Sequence, residues 1–591
     1  MYTLGINAAF HDSAACLVRD GVVIAAAEEE RFTRVKHAKR PVPFTAWELP
    51  FAAIDYCLAA AGIRLADVSH VAYSFDPALM PGHRGGDHVS LPLEPSRHWT
   101  RPANGAEEHG PWASPWEPLF HAYVLNAPRQ LAGGAPLHLR ERVEGAREGE
   151  GYRWHFVEHH LAHEASAFLA APRHGEDCSA VMTLDGRGER ATTTLAVWRG
   201  GTLTRLREIE FPHSLGLLYE DVTRHLGFLH ASDEYKVMAL ASYGRPVYRE
   251  LFDTLLQLDG NGGFRVLADV EAQLARHWGP PRRRGAPLEQ AHFDLAASLQ
   301  SALEDAVLDL AGWLRAHSDA PQLCVAGGVG LNCVANARLR DSGLFERVWV
   351  QPAAGDAGTA LGAALWVDLQ QRGGPRGWQM DDAYLGPQFD DDEIERLLAW
   401  AKLPYRRAHD LAGETAELLA RGRIVGWFQG RMEFGPRALG ARSILASPLD
   451  AAMQARLNEL KDREDFRPVA PAVLEEAAGD WFVARGGAAA EPAPFMLFVF
   501  DVRPERAARI PAAVHVDGTA RVQTVSARAH PRFHALLRAF ADRTGVPVLV
   551  NTSFNVRGEP IVCTPRDAIT AFHSTPLDAL AIGSFLLEKP Q

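Results

Sequence analysis

The chain has 591 residues, with 61 Lys and Arg against 73 Asp and Glu and a formal charge of −12. Apolar residues make up 47% and charged residues 23%, the balance of a globular enzyme of two or more domains, which excludes a disordered chain, a collagen-like fibre and a coiled coil. The acidic sign argues against nucleic acid as a partner of the whole molecule, so phosphate chemistry has to come from local basic clusters.

The first residues, Met1-Tyr2-Thr3-Leu4, lack a basic signal-peptide start, and no run of about 20 apolar residues is present. A cytoplasmic protein with no membrane partner is therefore expected. Six scattered cysteines (Cys16, Cys57, Cys178, Cys324, Cys333 and Cys563) make no C-x-x-C pair and fit buried thiols in a reducing compartment.

Tyr2–Asn7, Ala14–Arg19 and Val22–Glu28 read as strands, joined by a polar loop at 8–13 and an Asp20-Gly21 turn. The pattern returns as Ala180–Leu184, the loop Asp185-Gly186-Arg187-Gly188-Glu189, Ala191–Trp198, a Gly200-Gly201 turn and Leu203–Ile209. Helices are expected at Phe51–Ala61, Leu161–Ala171, Leu215–Leu226, Phe293–His317, Leu331–Ser342 and Thr359–Leu369. Two copies of strand–loop–strand–turn–strand predict an α/β fold on a duplicated unit, the layout of the actin, hexokinase and Hsp70 type, with its ligand in the cleft between the halves.

Between Asp76 and Tyr152 the pattern dissolves into Pro, Gly, Trp and His, an irregular insertion inside a first domain of residues 1–372. Gly373-Gly374-Pro375-Arg376-Gly377 reads as a linker to a second α/β domain, 373–591, in which Gly486–Pro494 is a surface loop.

In Glu158-His159-His160-Leu161-Ala162-His163, His159 and His163 are four apart and share one helix face. Pairs of surface histidines also arise by chance in a chain with 25 of them. Asp185 and Asp356, each expected where a strand meets a loop, complete a set of two imidazoles and two carboxylates that suits Fe²⁺, Mn²⁺ or Zn²⁺ better than Mg²⁺. His160 is expected to pack beside the set. Gly327 and Gly328 end a strand before a helix opening near Asn332, a place for backbone to approach a nucleotide. His11, Asp12 and Ser13 face them from the N-terminal loop, with His11 and Asp12 the candidate catalytic pair. In the second domain, Arg431, Glu433, Arg437 and Arg442 lie in the glycine-rich run Gly430–Ser443, and Lys461, Arg463 and Arg467 follow. Arginine forks among glycines suit phosphate and carboxylate recognition. Arg521, Asn551 and Ser553 add an arginine and neutral hydrogen-bonding groups.

Assembled, these stretches resemble the antibiotic O-carbamoyltransferase family, which includes tobramycin and cephalosporin carbamoyltransferases and nodulation protein NodU. The matches are Gly5–Ala15, Ala27–His37, Glu158–His163, Leu184–Glu189, Gly327–Cys333, Gly430–Ser443, Lys461–Pro468 and Asn551–Pro560, in family order over nearly the whole chain. The resemblance implies an N-terminal domain similar to the metal-containing enzymes of tRNA threonylcarbamoylation and a C-terminal domain similar to YrdC. The second would make carbamoyl-adenylate from carbamoyl phosphate and ATP, with Mg²⁺. The first would pass the carbamoyl group to a hydroxyl of a natural-product acceptor, releasing AMP. It further implies iron on His159, His163, Asp185 and Asp356, and carbamoyl-phosphate or nucleotide contacts at Lys461, Arg467, Arg521, Asn551 and Ser553.

Those roles suit the residue types, because adenylation needs cationic clamps on phosphoryl oxygens and hydroxyl transfer needs a base such as His11. A labile adenylate also calls for a closed route between the domains. Trp99, Trp112, Trp116 and Phe120 in the insertion are candidates to line an acceptor flap, a plain packed flap being the alternative. An oligomer is compatible with this reading. The competing readings are a tRNA threonylcarbamoyl transferase, a kinase or ATPase on the duplicated fold, and an Hsp70-like binding module.

Overall fold

The protein is described by a computed structural model over residues 1–38, 49–80, 117–133, 151–173, 177–485 and 492–590. In the first half, β1 (Tyr2–Asn7), β2 (Ala14–Arg19), β3 (Val22–Glu28), β4 (His70–Tyr73) and β5 (Arg153–Phe156) form one sheet in the order β3-β2-β1-β4-β5. The hairpin strands β1 to β3 are antiparallel, while β4 and β5 add parallel to β1.

In the second half, β6 (Cys178–Leu184), β7 (Ala191–Arg199) and β8 (Thr202–Glu210) form the hairpins, and a small separate hairpin pairs β9 (Leu256–Leu258) with β10 (Phe264–Val266). The sheet is completed by β11 (Gln322–Ala326) and β12 (Arg347–Val350), parallel to β6, in the order β8-β7-β6-β11-β12. One topology is thus repeated, and the expected actin/Hsp70-like duplication is present.

Each half ends in a helix that packs across onto the other half's sheet. His159–Phe168 follows β5 and lies against β6 and β11, while Ala357–Arg372 follows β12 and lies against β1 and β2. The two helices also touch each other backbone to backbone. A Cβ on Gly362 would stand 1.8 Å from the carbonyl oxygen of Ala162, and one on Gly5 of β1 would stand 1.9 Å from that of Ala360. The first helix begins two residues earlier than periodicity predicts, because the carboxylate of Glu189 accepts the backbone N–H of His159 at 3.0 Å and caps its start.

The insertion at 76–152 is not irregular throughout. Residues 117–133 form a helix whose Val124, Ala127 and Leu131 are buried, the i, i+3, i+7 spacing of one apolar face. Trp99, Trp112, Trp116 and the side chain of Phe120 lie outside the described residues, as do residues 486–491 of the Gly486–Pro494 loop.

Residues past 373 form an eight-stranded mixed sheet, with Val425–Phe428, Arg442–Ala446, Val548–Ser553 and Ala470–Leu474 buried side by side at its centre. The expected linker is a packed strap. Gly373 ends the preceding helix, but Arg376 is buried and donates to the carbonyl of Ala171, while Met380, Ala383 and Leu385 join the first domain's core. All six cysteines are free thiols. Among the described residues no helix is long and apolar enough to cross a membrane.

The close helix contact yields a first prediction. Gly362→Val should lower unfolding free energy by about 3 kcal/mol or more, since the Ala162 backbone cannot yield; a urea midpoint unchanged from wild type would contradict it. A second concerns acid. His530 caps the helix Pro531–Thr544 by accepting the Phe533 N–H at its Nδ1, which requires the neutral ring, and burial pushes its pKa down to about 4. The unfolded chain takes up this proton near pH 6.5 and the folded chain only near 4, so stability falls as pH drops through that window, by up to about 3 kcal/mol. His530→Asn keeps a capping acceptor and should flatten this part of the pH–stability curve.

Candidate active site

The helix His159–Phe168 presents His159 and His163 on one face, and both are fully buried. Asp185 leaves the end of β6, and Asp356 stands at the N-terminus of Ala357–Arg372. The two Nε2 atoms are 3.1 Å apart; Asp356 Oδ1 is 3.6 Å from both, and Asp185 Oδ2 is 3.6 Å from His159 and 4.0 Å from His163. Four donors about one tetrahedral ion stand roughly 3.3–3.5 Å apart, so this set fits a single transition-metal ion in both chemistry and spacing. Burial by itself lowers the His159 pKa, yet the two carboxylates hold it well above its ordinary value. The same field favours a cation among these groups. Ring orientation is fixed from behind, His159 Nδ1 lying 3.3 Å from the carbonyl of Ser74. His160 is outside the set, bonded to Thr183.

The loop with His11 is tied to this cluster, since the His11 N–H donates to Asp356 Oδ2 at 3.0 Å. Asp12 Oδ2 accepts from His11 Nδ1 at 2.9 Å. Across the cleft, Gly327 (φ +92) has its Cα against the Leu184 carbonyl, where a Cβ would come within 2.2 Å. The Gly328 N–H donates to Asp185 Oδ1 at 2.7 Å. Asn332 caps the helix Cys333–Asp341 and exchanges hydrogen bonds with Gln300.

Gly328, Asn332, His11, Asp12, Asp185 and Asp356 line a cavity of about 550 Å³ whose far wall belongs to the C-terminal domain. There Arg437, Arg463, Arg467 and Arg521 converge, with Asn551 and Ser553 beside them. Arg437 and Arg463 are each pushed down to about 9 by burial and then by neighbouring arginines. Among the described residues, buried Arg437 Nε, Arg463 Nη2, Arg521 Nε and Asn551 Oδ1 have no hydrogen-bond partner. Crowded guanidiniums with unused donors are a receptor for phosphate or carboxylate.

Four expected contacts sit elsewhere. Arg431 donates to the carbonyls of Ile24 and Leu385, tying the domains together. Arg442 is fully buried beneath the sheet, over the Phe428 ring, and donates to the carbonyls of Gln429, Gly430, Ala441, Cys563 and Pro387. Glu433 Oε1 accepts the N–H groups of Leu439, Ala441 and Arg442, folding the glycine-rich loop. Lys461 does not line the cavity; its Nζ donates to the carbonyls of Ser553 and Asn555 and braces that loop from behind. A run of charges in a glycine-rich loop cannot reveal which side chains turn inward, and here only Arg437 of the four in Gly430–Ser443 reaches the cavity. The sequence reading named Arg463 in the basic run and left His37, Glu220 and Glu234 unassigned, although all four line the cavity. Burial and then the charge of Glu220 raise the Glu234 pKa to about 7.

Because Arg442 satisfies backbone carbonyls and no ligand, Arg442→Met should cost about 3–5 kcal/mol of stability. A urea midpoint within error of wild type would show that those carbonyls are satisfied without it.

The family profile described as Carbamoyltransferase N-terminus matches residues 2–78 and 148–365, and that described as Carbamoyltransferase C-terminus matches 416–589. Nodulation protein NolNO of Sinorhizobium fredii is 40% identical over 99% of this chain and 80% of its own length. Nodulation protein NolO of Bradyrhizobium diazoefficiens is 44% identical over 73% of this chain and 79% of its own. Component A of Acidaminococcus fermentans (R)-2-hydroxyglutaryl-CoA dehydratase, a solved structure, aligns with 63% of this chain and 99% of its own at 14% identity and a TM-score of 0.31. With both halves of the family profile matched in order and the NolNO likeness running end to end, the chain belongs to the carbamoyltransferase family.

Proposed function

We propose that this protein is an ATP-dependent O-carbamoyltransferase that makes carbamoyl-adenylate at the arginine wall of its cavity and transfers the carbamoyl group beside the His/Asp cluster to a hydroxyl of a natural-product acceptor. One observation carries the reading: the anion receptor and the His/Asp cluster open into the same cavity. A labile mixed anhydride made at one wall can then reach the other without entering bulk water.

Mass balance fixes the first half-reaction. Water cleaves carbamoyl phosphate to carbamate and inorganic phosphate; a carbamate oxygen attacks the α-phosphorus of Mg²⁺-ATP, the α–β phosphoanhydride bond breaks and pyrophosphate leaves. Arg437, Arg463, Arg467 and Arg521 bind the phosphates and hold the reactants in line, on a C-terminal domain we take to be YrdC-like. In the second half-reaction the acceptor oxygen attacks the carbamoyl carbon, the bond from that carbon to the AMP phosphate breaks, and the hydroxyl proton passes to His11, whose Nδ1–H is oriented by Asp12. Iron on His159, His163, Asp185 and Asp356, with manganese or zinc as alternatives, would supply Lewis-acid charge to the adenylate phosphate. Gly328 and Asn332 would border the nucleotide on the opposite lip.

The expected signature is ATP/pyrophosphate exchange that depends on carbamoyl phosphate. His11→Asn should retain that exchange while losing carbamoyl transfer by at least about 100-fold, the usual range for removing a general base. Loss of both half-reactions in a folded variant would refute the division of labour.

A further inference from the structure

We infer that His37 is a positioning residue for the transfer half-reaction: it holds the second oxygen of Asp12 and thereby fixes the carboxylate that orients His11. The inference rests on the assignment of His11 as the base. Asp12 lies between two imidazoles. Its Oδ2 takes the His11 Nδ1 contact at 2.9 Å, and its Oδ1 is 2.8 Å from His37 Nδ1. The His37 ring lies against that of His11, with centroids 4.0 Å apart. On its far side His37 Nε2 is 3.1 Å from Ser232 Oγ, on a loop of the second half of the first domain. The chain His11–Asp12–His37–Ser232 therefore spans the cleft.

Hydrogen-bond roles follow from the middle of this chain. An ionised carboxylate only accepts, so both Nδ1 atoms carry their protons toward Asp12. The neutral His37 then has an accepting Nε2, which the Ser232 hydroxyl can fill, and a neutral His11 keeps Nε2 as its proton-accepting nitrogen. Burial alone would raise the Asp12 pKa, yet the two imidazoles hold it well below the ordinary carboxylate range, so the acceptor role is secure.

Backbone conformation and anchoring agree. Asp12 and His37 both occupy the left-handed region (φ 46 and 61) that non-glycine residues rarely adopt. Such conformations persist where the surroundings over-determine them, and they cluster at functional sites. The His37 N–H donates to Glu30 Oε2 at 2.7 Å. Three residues before His37, Arg34 donates to the carbonyls of Ile561 and Pro560 on the C-terminal wall of the cavity. His37 is thus anchored through its own N–H and through Arg34.

The test uses the full-length Fe²⁺-loaded protein, with glycerol as the hydroxyl probe and carbamoyl-phosphate-dependent ATP/pyrophosphate exchange as the companion readout. His37→Phe removes the donor to Asp12 and should lower kcat for glycerol carbamoylation at least tenfold, with KM for glycerol and exchange within twofold of wild type. His37→Asn, whose amide N–H can stand near the Nδ1–H, should recover kcat to within threefold of wild type, and the milder Ser232→Ala should lower it about threefold. Transfer by His37→Phe within twofold of wild type, or transfer and exchange falling together in all three variants, would overturn the inference. So would a second bound iron that His37→Phe removes, since His11, Asp12 and His37 would then be ligands. If His11→Asn still carbamoylates glycerol, the assignment of the base fails first; if it does not while His37→Phe does, only the positioning role fails.

Discussion

The backbone contact between the helices His159–Phe168 and Ala357–Arg372 is the constraint from which the candidate site follows. The four groups of the cluster come from three segments distant in sequence, so their convergence is only as exact as the packing between those segments. Small residues make that packing possible: Gly362 faces the Ala162 carbonyl and the Ser166 N–H with no room for a Cβ. From the same contact a hydrogen-bond network spreads toward the His11 loop. Thr359 Oγ1 pairs with Ser74 Oγ at 2.8 Å, Ser74 donates to Asn7 Oδ1, and Asn7 Nδ2 donates to the carbonyls of His11 and Asp12. Core packing, cluster geometry and loop conformation are therefore one linked arrangement.

The second domain is registered on this frame by buried polar contacts. Arg31 pairs with Glu28 and donates to the Gly435 carbonyl, while the Gly435 N–H returns to Glu28. Lys236 reaches Glu464 at 2.9 Å, next to the arginine wall. A buried ion pair adds little net stability, but breaking it leaves an uncompensated charge, so such pairs penalise any other register. This explains why the charged run Ala27–His37 is so dense. Its acids and bases join two domains, and its last residue reaches into the cleft.

Much of this was legible in the sequence. The hairpin strands of both halves lie where alternation and the Asp20-Gly21 and Gly200-Gly201 turns place them. Helical spacing paired His159 with His163 and the end of β6 placed Asp185 beside them, because secondary structure fixes the direction of side chains on helices and at strand ends; Asp356 joins them from the start of Ala357–Arg372, six residues past β12, and not from a strand end. The glycine-rich segment Gly430–Ser443 was different. Loop side chains have no such periodicity, so Arg431, Glu433 and Arg442 carry the composition of a phosphate loop while bonding backbone. Lys461 misled in the same way, since the pattern that puts a lysine near an anion site cannot say whether it faces the ligand or the loop behind it. His37 was hidden because its partner Asp12 is 25 residues away and both adopt conformations that no propensity favours.

The net charge of −12 conceals two opposed poles inside one cavity. At one pole, desolvated arginines repel one another and leave buried N–H groups unbonded; at the other, two carboxylates and two imidazoles create a field that favours a cation. In the proposed cycle the triphosphate of ATP meets the arginine pole with several charges, whereas carbamoyl-adenylate keeps a single one. Coulomb attraction scales with the product of the charges, so formation of the adenylate weakens its hold on the arginines, which retain the pyrophosphate. A metal ion held at the opposite pole by His159, His163, Asp185 and Asp356 would offer the remaining phosphate charge a cationic centre without an intervening passage through water, and the arrangement of charge would then give the transfer its direction.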